Sequence, residues 1–282
     1  MTEAETPPDT RSPFGALAPS VSAVDAWRHA AARTLSAAER RQARRNIAAS
    51  FAGPFDVSAD GIRLRVYPLE NHCDRMVIGR DKLPESDERA LIAPLLRPGM
   101  VLVDIGANIG VYSLFVAART RGSARILAFE PNPRTFAKLD FNCRINGFGE
   151  VDRINAAVGP ARQTAPLYLE SAGNAGSATM AGRPASGVAS LQIEVVPLIE
   201  ALRERKVTCV DLLKIDVEGF EDEALLPFFR EAPASLWPLH ILLETVHATR
   251  WREDLLGYLR QAGYRDVGGT AENILLARPD SA

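Results

Sequence analysis

In the stretch DLLKIDVEG, residues 211–219, three charged side chains recur at every second position of an otherwise apolar run: Lys214, Asp216 and Glu218. In a strand that period puts all three on one side, with the two carboxylates near the carboxyl end, where the ligands of open α/β sheets collect. Such a group can move a proton. A carboxylate takes one from an acceptor hydroxyl, and a neighbouring ammonium favours the ionised form while burial opposes it. Asp216 is the first candidate for a general base, with Lys214 beside it. Glu244, His247 and His240 in LHILLETVH stand second, because that run ends another strand and imidazole titrates near neutrality. The competing reading of Lys214 and Asp216 is an internal ion pair that organises the sheet, and each histidine also admits a purely structural role. Asp216 and Glu218 could hold magnesium between open positions, but spacing offers no third ligand, so no metal is predicted.

A second polar set surrounds a glycine turn. VLVDIGANIGVYSLFVA, residues 101–117, runs from a buried-type strand through D-x-G-x-N-x-G into an apolar helix. Asp104 leaves the strand, Gly106 lets a ligand approach the backbone, Gly110 lets the helix start tightly, and Asn108 adds a polar group that packing does not need. A tight connection with no ligand is the bland alternative. A dinucleotide fingerprint would need glycine at positions 108 and 111, which hold Asn108 and Val111, and a Walker loop would need Gly-Lys-Ser/Thr. Glu130 ends RILAFE about 20 residues beyond Gly110, where an acidic side chain accepts hydrogen bonds from both hydroxyls of a ribose. A cap on the next helix is the other reading of Glu130. An adenosine ligand without a pyrophosphate clamp points to S-adenosylmethionine, whose amino-acid end can meet Asp104 and the turn backbone. The third strand ends NAAVG, so Ala156 and Ala157 stand where an acidic or amide side chain would read the adenine amino group. That role then passes to the backbone, to Asn155 or to a residue elsewhere. The loop SAGNAGSATMAG, with Asn174 and Ser177, either closes over a ligand or turns the chain.

These residues need a scaffold that gathers strand ends, and the rhythm from Pro98 onward supplies it. Strands MVLVDI, RILAFE and VDRINAAV alternate with helices VYSLFVAART and RTFAKLDFNCRIN. Then come TAPLYLE, LQIEVVPL, helix LIEALRER, strand CVDLLKID, helical material through PFFR, strand HILLE, helix WREDLLGYLRQAG and a final pair at YRDV and NILLAR. Alternation of this kind implies a parallel sheet, and apolar runs without period two imply helices on both faces. The prediction is an α/β, doubly wound Rossmann-like sheet of about seven strands over residues 85–282. A disordered tail over residues 1–20 and a helical extension with a β-hairpin over 21–84 precede it. In the extension Ser22 with Asp25, and Ser36 with Glu39, have capping-box spacing, while IRLRVY alternates as a half-buried strand that pairs with MVIGR. The apolar residues Val24, Trp27, Leu35, Ile47 and Phe51 must pack on the domain, over the acceptor site or on a second copy of the chain. A homo-oligomer through the N-terminal helices therefore stays open.

Composition excludes several classes. With 282 residues, 46% of them hydrophobic, the chain can bury a full core. A formal charge of −2 gives no global attraction to nucleic acid or anionic lipid, and Arg40, Arg41, Arg44 and Arg45 read as a solvated or ion-paired helix face. Cys73, Cys143 and Cys209 are odd in number and scattered, which suggests neither a disulfide framework nor a zinc site and fits a cytoplasmic location. No apolar run reaches the roughly 18 residues of a membrane span, and MTEAETPPDTRSP lacks the regions of a signal peptide, so no membrane insertion is expected.

The combination VDIGANIGVYS, AFEPNP, the Asn146-Gly147 pair, GNAGSATM and DLLKIDVEGFE resembles the FkbM-type family of class I S-adenosylmethionine-dependent methyltransferases over about residues 85–277. The resemblance implies O-methylation of a hydroxyl on a sugar, glycan or polyketide-like acceptor. The residues expected to hold the cofactor are Asp104, Gly106, Asn108, Gly110, Glu130, Asn132, Ala157 and Asp216. Two rival classes remain: a nicotinamide oxidoreductase, which the glycine pattern disfavours, and a non-catalytic binding protein that keeps the fold.

Overall fold

A computed structural model of the chain describes residues 7–32, 34–48, 50–169, 175–181 and 188–279. In chain order its helices are α1 (Val21–Ala30), α2 (Ala37–Ala48), α3 (His72–Arg80), α4 (Ser86–Ile92), α5 (Val111–Arg119), α6 (Pro133–Asn146), α7 (Leu198–Glu204), α8 (Glu221–Glu231) and α9 (Leu255–Gln261). The strands are β1 (Phe55–Ala59), β2 (Ile62–Val66), β3 (Val101–Ile105), β4 (Arg125–Phe129), β5 (Val151–Ile154), β6 (Ala157–Val158), β7 (Gln163–Leu169), β8 (Ala178–Thr179), β9 (Ser190–Val196), β10 (Leu212–Ile215), β11 (His240–Glu244), β12 (Arg265–Gly269) and β13 (Asn273–Ala277).

Seven strands form one sheet in the order β12-β13-β11-β10-β3-β4-β5. The five from β11 to β5 run parallel, and β13 enters antiparallel beside β11. The short apolar runs are buried on both faces, as a covered parallel sheet requires. Leu102, Ile126, Leu212 and Leu242 face α5, α6 and the N-terminal elements, while Val103, Leu127, Leu213 and Leu243 face the layer of α7, α8 and α9. This is an α/β, doubly wound Rossmann-like architecture. TAPLYLE and LQIEVVPL do not join the main sheet. They form β7 and β9 of a separate four-stranded sheet, β6-β9-β7-β8, laid beside the carboxyl ends. The chain after β5 turns away at Asn155, so Ala157 and Val158 pair with Val195 and Val196 instead of extending β5.

Local signals explain the helix that supports Glu130. Asn132 caps α6 by accepting from the Arg134 N–H at 3.0 Å, Pro133 occupies the first turn, and Gly147 ends the helix in the left-handed region at φ 75°.

The N-terminal region differs from expectation in three respects. Residues 9–17 of the expected tail are tied down: the buried Arg65 guanidinium donates to the carbonyls of Asp9, Ser12 and Pro13 and pairs with Asp56 at 2.7 Å, while Asp56 also accepts from Gly15 and Leu17. The partner of β2 is β1, and MVIGR lies in α3, capped by Asn71, because its short apolar run fits a helix as well as a strand. The cap of α1 is Ser20, not Ser22, whereas Ser36 and Glu39 do form reciprocal capping bonds at the start of α2. Of the expected apolar face, Trp27 and Ile47 are buried in the chain's own core and Phe51 lies against the same cluster, whereas Val24 and Leu35 are half-buried outside it. Among the described residues no helix is long and apolar enough to cross a membrane.

Candidate active site

Parallel register sets the centre of the site. Lys214 of β10 lies directly across from Asp104 of β3, so both side chains emerge on the same face. The Lys214 ammonium donates to the Gly106 carbonyl at 2.9 Å and stands 3.8 Å from both Asp104 Oδ1 and Asp216 Oδ2. Burial pulls the Lys214 ammonium down, but Asp216, Asp104 and Glu85 outweigh it and hold its pKa above the ordinary value. Asp104 is fully buried, accepts from the Ser113 hydroxyl at 2.7 Å, and is pushed up by burial against the opposing pull of Lys214 and Ser113.

A cleft opens over this centre at the carboxyl ends of β3, β4 and β10, enclosing about 810 Å³ when its open mouth is counted. Gly106, Asn108, Glu130, Ala157, Lys214, Asp216 and Glu218 line it, with Phe129, Ala156, Val158 and Leu167 forming an apolar end. The structure thus gathers the glycine turn, Glu130 and the KIDVEG segment around one space. Glu130 accepts the backbone N–H of Asn108 through Oε2 and that of Asn132 through Oε1, each at 2.9 Å. Burial nevertheless pushes its carboxyl up to about 7. A carboxylate has about four lone-pair positions, so two remain for further donors.

Several expected residues have other work. Asp104 is not among the residues that line the cleft but stands 3.8 Å from one that is, Lys214. Asn132 caps α6 and lies outside the lining. Gly106 also has an internal reason to lack a Cβ: at φ 77° a Cβ would overlap the Asp216 carbonyl oxygen. Gly110, at φ 98°, makes room for Leu139 of α6. Asn155 is engaged, its amide donating to the carbonyls of Glu130 and Pro131 at 2.8 and 3.1 Å. His240 is at the wrong end of the sheet. It begins β11 opposite Leu212, while Glu244 ends the same strand one residue past the partner of Ile215. Asn174 lies outside the described residues, and Ser177 falls in a short turn next to β8.

At the carboxyl end of β11, Glu244 is 9% exposed and its carboxyl is pushed up to about 9, first by burial and then by Asp216, Glu221 and Glu218. His247 Nε2 lies 2.8 Å from Glu218 Oε2. The loop that carries Glu218 curls because Val217 and Gly219 both donate to Glu221 Oε1, which leaves Glu218 in the left-handed region at φ 58°.

Sequence reasoning missed the contribution of the N-terminal region. Asn71 donates to Asn108 Oδ1 at 2.6 Å, and Cys73 and Glu85 line the cleft. No spacing signal marks these residues, whose partners lie more than 25 positions away. Tyr112 was in reach of sequence reading, since it follows the glycine turn directly; its ring lies 5.2 Å from the Lys214 ammonium.

The methyltransferase FkbM domain matches residues 104–265, more than half of the chain, and the protein belongs to that family. Methyltransferase sdnD of Sordaria araneosa is 28% identical over 61% of this chain and 76% of its own length. The 31-O-demethyl-FK506 methyltransferase FkbM of Streptomyces tacrolimicus is 34% identical over 46% of this chain and 60% of its own. The hexuronic acid methyltransferase AglP of Haloferax volcanii is 27% identical over 65% and 71%. Membership sets aside the nicotinamide oxidoreductase.

Proposed function

We propose that this methyltransferase uses S-adenosylmethionine to methylate a hydroxyl oxygen of a sugar, glycan or polyketide-like small molecule. The observation that carries the reading is Asp216, whose side chain is 35% exposed and lines the same cleft as the glycine turn and Glu130. The names of two relatives, one for a 31-O-demethyl acceptor and one for a hexuronic acid, support an oxygen acceptor of this kind. The lining fits the cofactor. Glu130 keeps lone pairs for two ribose hydroxyls, the alanines with Phe129 and Leu167 suit a flat apolar base, and the polar end at Asp216 and the Gly106–Asn108 turn suits an amino acid. When bound, S-adenosylmethionine supplies an electrophilic methyl group on a sulfonium.

The chain's own residues then have two tasks. Orientation of the acceptor oxygen can contribute on the order of 7 kcal/mol or more. The Asp216 carboxylate accepts the hydroxyl proton, a step worth roughly a hundredfold to ten-thousandfold. Lys214 holds Asp216 in place and is a positioning residue. Glu244, whose carboxyl is raised by burial and by Asp216, Glu221 and Glu218, is the second candidate for the base.

Incubation with methyl-¹³C-labelled cofactor and a panel of glycosides, uronic acids and secondary alcohols tests the reading by NMR. An O-methyl product is expected, with Asp216→Asn losing at least about a hundredfold in turnover while cofactor affinity holds. A product methylated on nitrogen or carbon, or near-normal turnover in a folded Asp216→Asn protein, contradicts it.

A further inference from the structure

The carboxyl ends of β10 and β11 carry a group of side chains that methyl transfer as described does not use. One donor atom from each of Glu218, Glu244 and His247 lies within 4.8 Å of the other two. Glu244 is nine-tenths buried, and its Oε2 has no hydrogen-bond partner among the described residues. A buried polar atom left unsatisfied costs about 1–3 kcal/mol, more when charged. Of the charged groups around it, Asp216, Glu218 and Glu221 are acceptors, and the Lys214 ammonium donates to the Gly106 carbonyl instead.

We propose that Glu218, Glu244 and His247 bind one divalent cation of the Mn²⁺ type, with open coordination positions toward the cleft. Around an octahedral ion with ligands at about 2.1 Å, adjacent donors stand about 3.0 Å apart and opposite ones about 4.2 Å. The 2.8 Å separation of Glu218 Oε2 and His247 Nε2 is close to the adjacent spacing, and the 4.8 Å limit leaves about half an ångström of closure for the set. Two carboxylates with one imidazole suit Mn²⁺ better than the all-oxygen shell preferred by Mg²⁺ or Ca²⁺. The neighbourhood holds the ligands in place. Thr179 donates to the Glu218 carbonyl at 2.9 Å, and Glu221 fixes the turn on either side of Glu218. The cation would take two oxygens of an acceptor that presents them side by side, a vicinal diol or a hydroxy-carboxylate. This acceptor half rests on the hydroxyl-methylation reading, whereas the cation half does not.

The test titrates Mn²⁺ into the full chain with neither cofactor nor acceptor present, and follows loss of the free aquo-ion signal by electron paramagnetic resonance. About one bound Mn²⁺ per chain is expected, weakened at least tenfold in Glu244→Gln and in His247→Ala. S-adenosylhomocysteine binding by the same samples shows that they are folded. No binding below about 1 mM, or binding unchanged in both folded variants, overturns the cation site. A second arm compares methyl transfer to a vicinal diol and to an isolated hydroxyl after chelation. A diol rate that falls at least tenfold and returns with Mn²⁺ supports the acceptor half; bound Mn²⁺ with chelator-insensitive rates on both acceptors overturns that half alone. Bound Mn²⁺ with no methylation of any hydroxyl leaves the cation site standing and counts against the hydroxyl reading.

Discussion

Replacing Lys214 with methionine removes the ammonium at the centre of the site and leaves Asp104 buried without it. The side chain is 4% exposed, with Asp104 and Asp216 each 3.8 Å from Nζ and Asp104 fully buried. At an effective dielectric constant of about 20, each attraction is worth about 4 kcal/mol before desolvation. Removal of one member of such a buried set costs about 3–5 kcal/mol, because the remaining charge is left uncompensated. For a chain of this size that corresponds to a fall in melting temperature of about 6–20 °C. The pH dependence carries the sharper signature. Asp104 is already raised by burial, and without Lys214 it rises further. A carboxyl raised on folding contributes stability that is present in full below its unfolded pKa and is lost as pH rises through its folded pKa. The deficit of the variant should therefore shrink as pH falls from about 8 toward about 5, by up to about 1.4 kcal/mol per pH unit for one proton. Lys214→Met combined with Asp104→Asn should recover a large part of the loss, which keeps the test usable if the single variant does not fold. Thermal and urea unfolding across pH, on wild type and both variants, measures this. A single variant that melts within about 2 °C of wild type, or a deficit that is the same at both pH values, refutes the reasoning.

Three further outcomes are expected. Because the Glu130 carboxyl titrates at about 7 and must be ionised to accept from ribose hydroxyls, affinity for S-adenosylhomocysteine should rise by up to about tenfold between pH 6 and 8, and Glu130→Gln should abolish that slope in calorimetry. Gly106→Ala forces a side chain into the left-handed region and onto the Asp216 carbonyl, so denaturation should show a loss of at least about 2 kcal/mol together with weaker cofactor binding. Trp27 is 1% exposed and donates to the Phe51 carbonyl at 3.0 Å, so Trp27→Ala should cost about 3–5 kcal/mol, and a loss below about 1 kcal/mol would show that α1 is dispensable for stability.

The parts of this molecule that were legible in its sequence share a physical cause. Strands buried on both faces must be short apolar runs, and a strand-to-helix turn with left-handed backbone selects glycine, so β3, β4 and α5 could be placed within a residue or two and β10 within three. Lys214, Asp216 and Glu218 stood out because charge at period two is foreign to a central strand. The small sheet was not legible, since β7 and β9 have the same composition whichever sheet they join. His240 and Glu244 differ in role only through strand direction, which becomes decisive once the limits of β11 are known. Arg65 illustrates a different limit. Its alternation within β2 marks it as outward-facing, yet residues 9–13 fold over it, and carbonyl acceptors leave no pattern of residue types. Contacts of Asn71 and Cys73 with Asn108 were hidden for the same reason, as they depend on how α3 docks and not on spacing.

The central claim is that the cleft between the glycine turn, Glu130 and Asp216 is where the methyl donor binds. Calorimetric titration of S-adenosylhomocysteine, with NAD as the control ligand, tests it most directly. One site per chain, no heat from NAD, and an affinity reduced by about 1–3 kcal/mol in a folded Glu130→Ala variant through loss of charge-assisted hydrogen bonds are expected. Binding of NAD, or affinity for S-adenosylhomocysteine that is indifferent to Glu130→Ala, would contradict it.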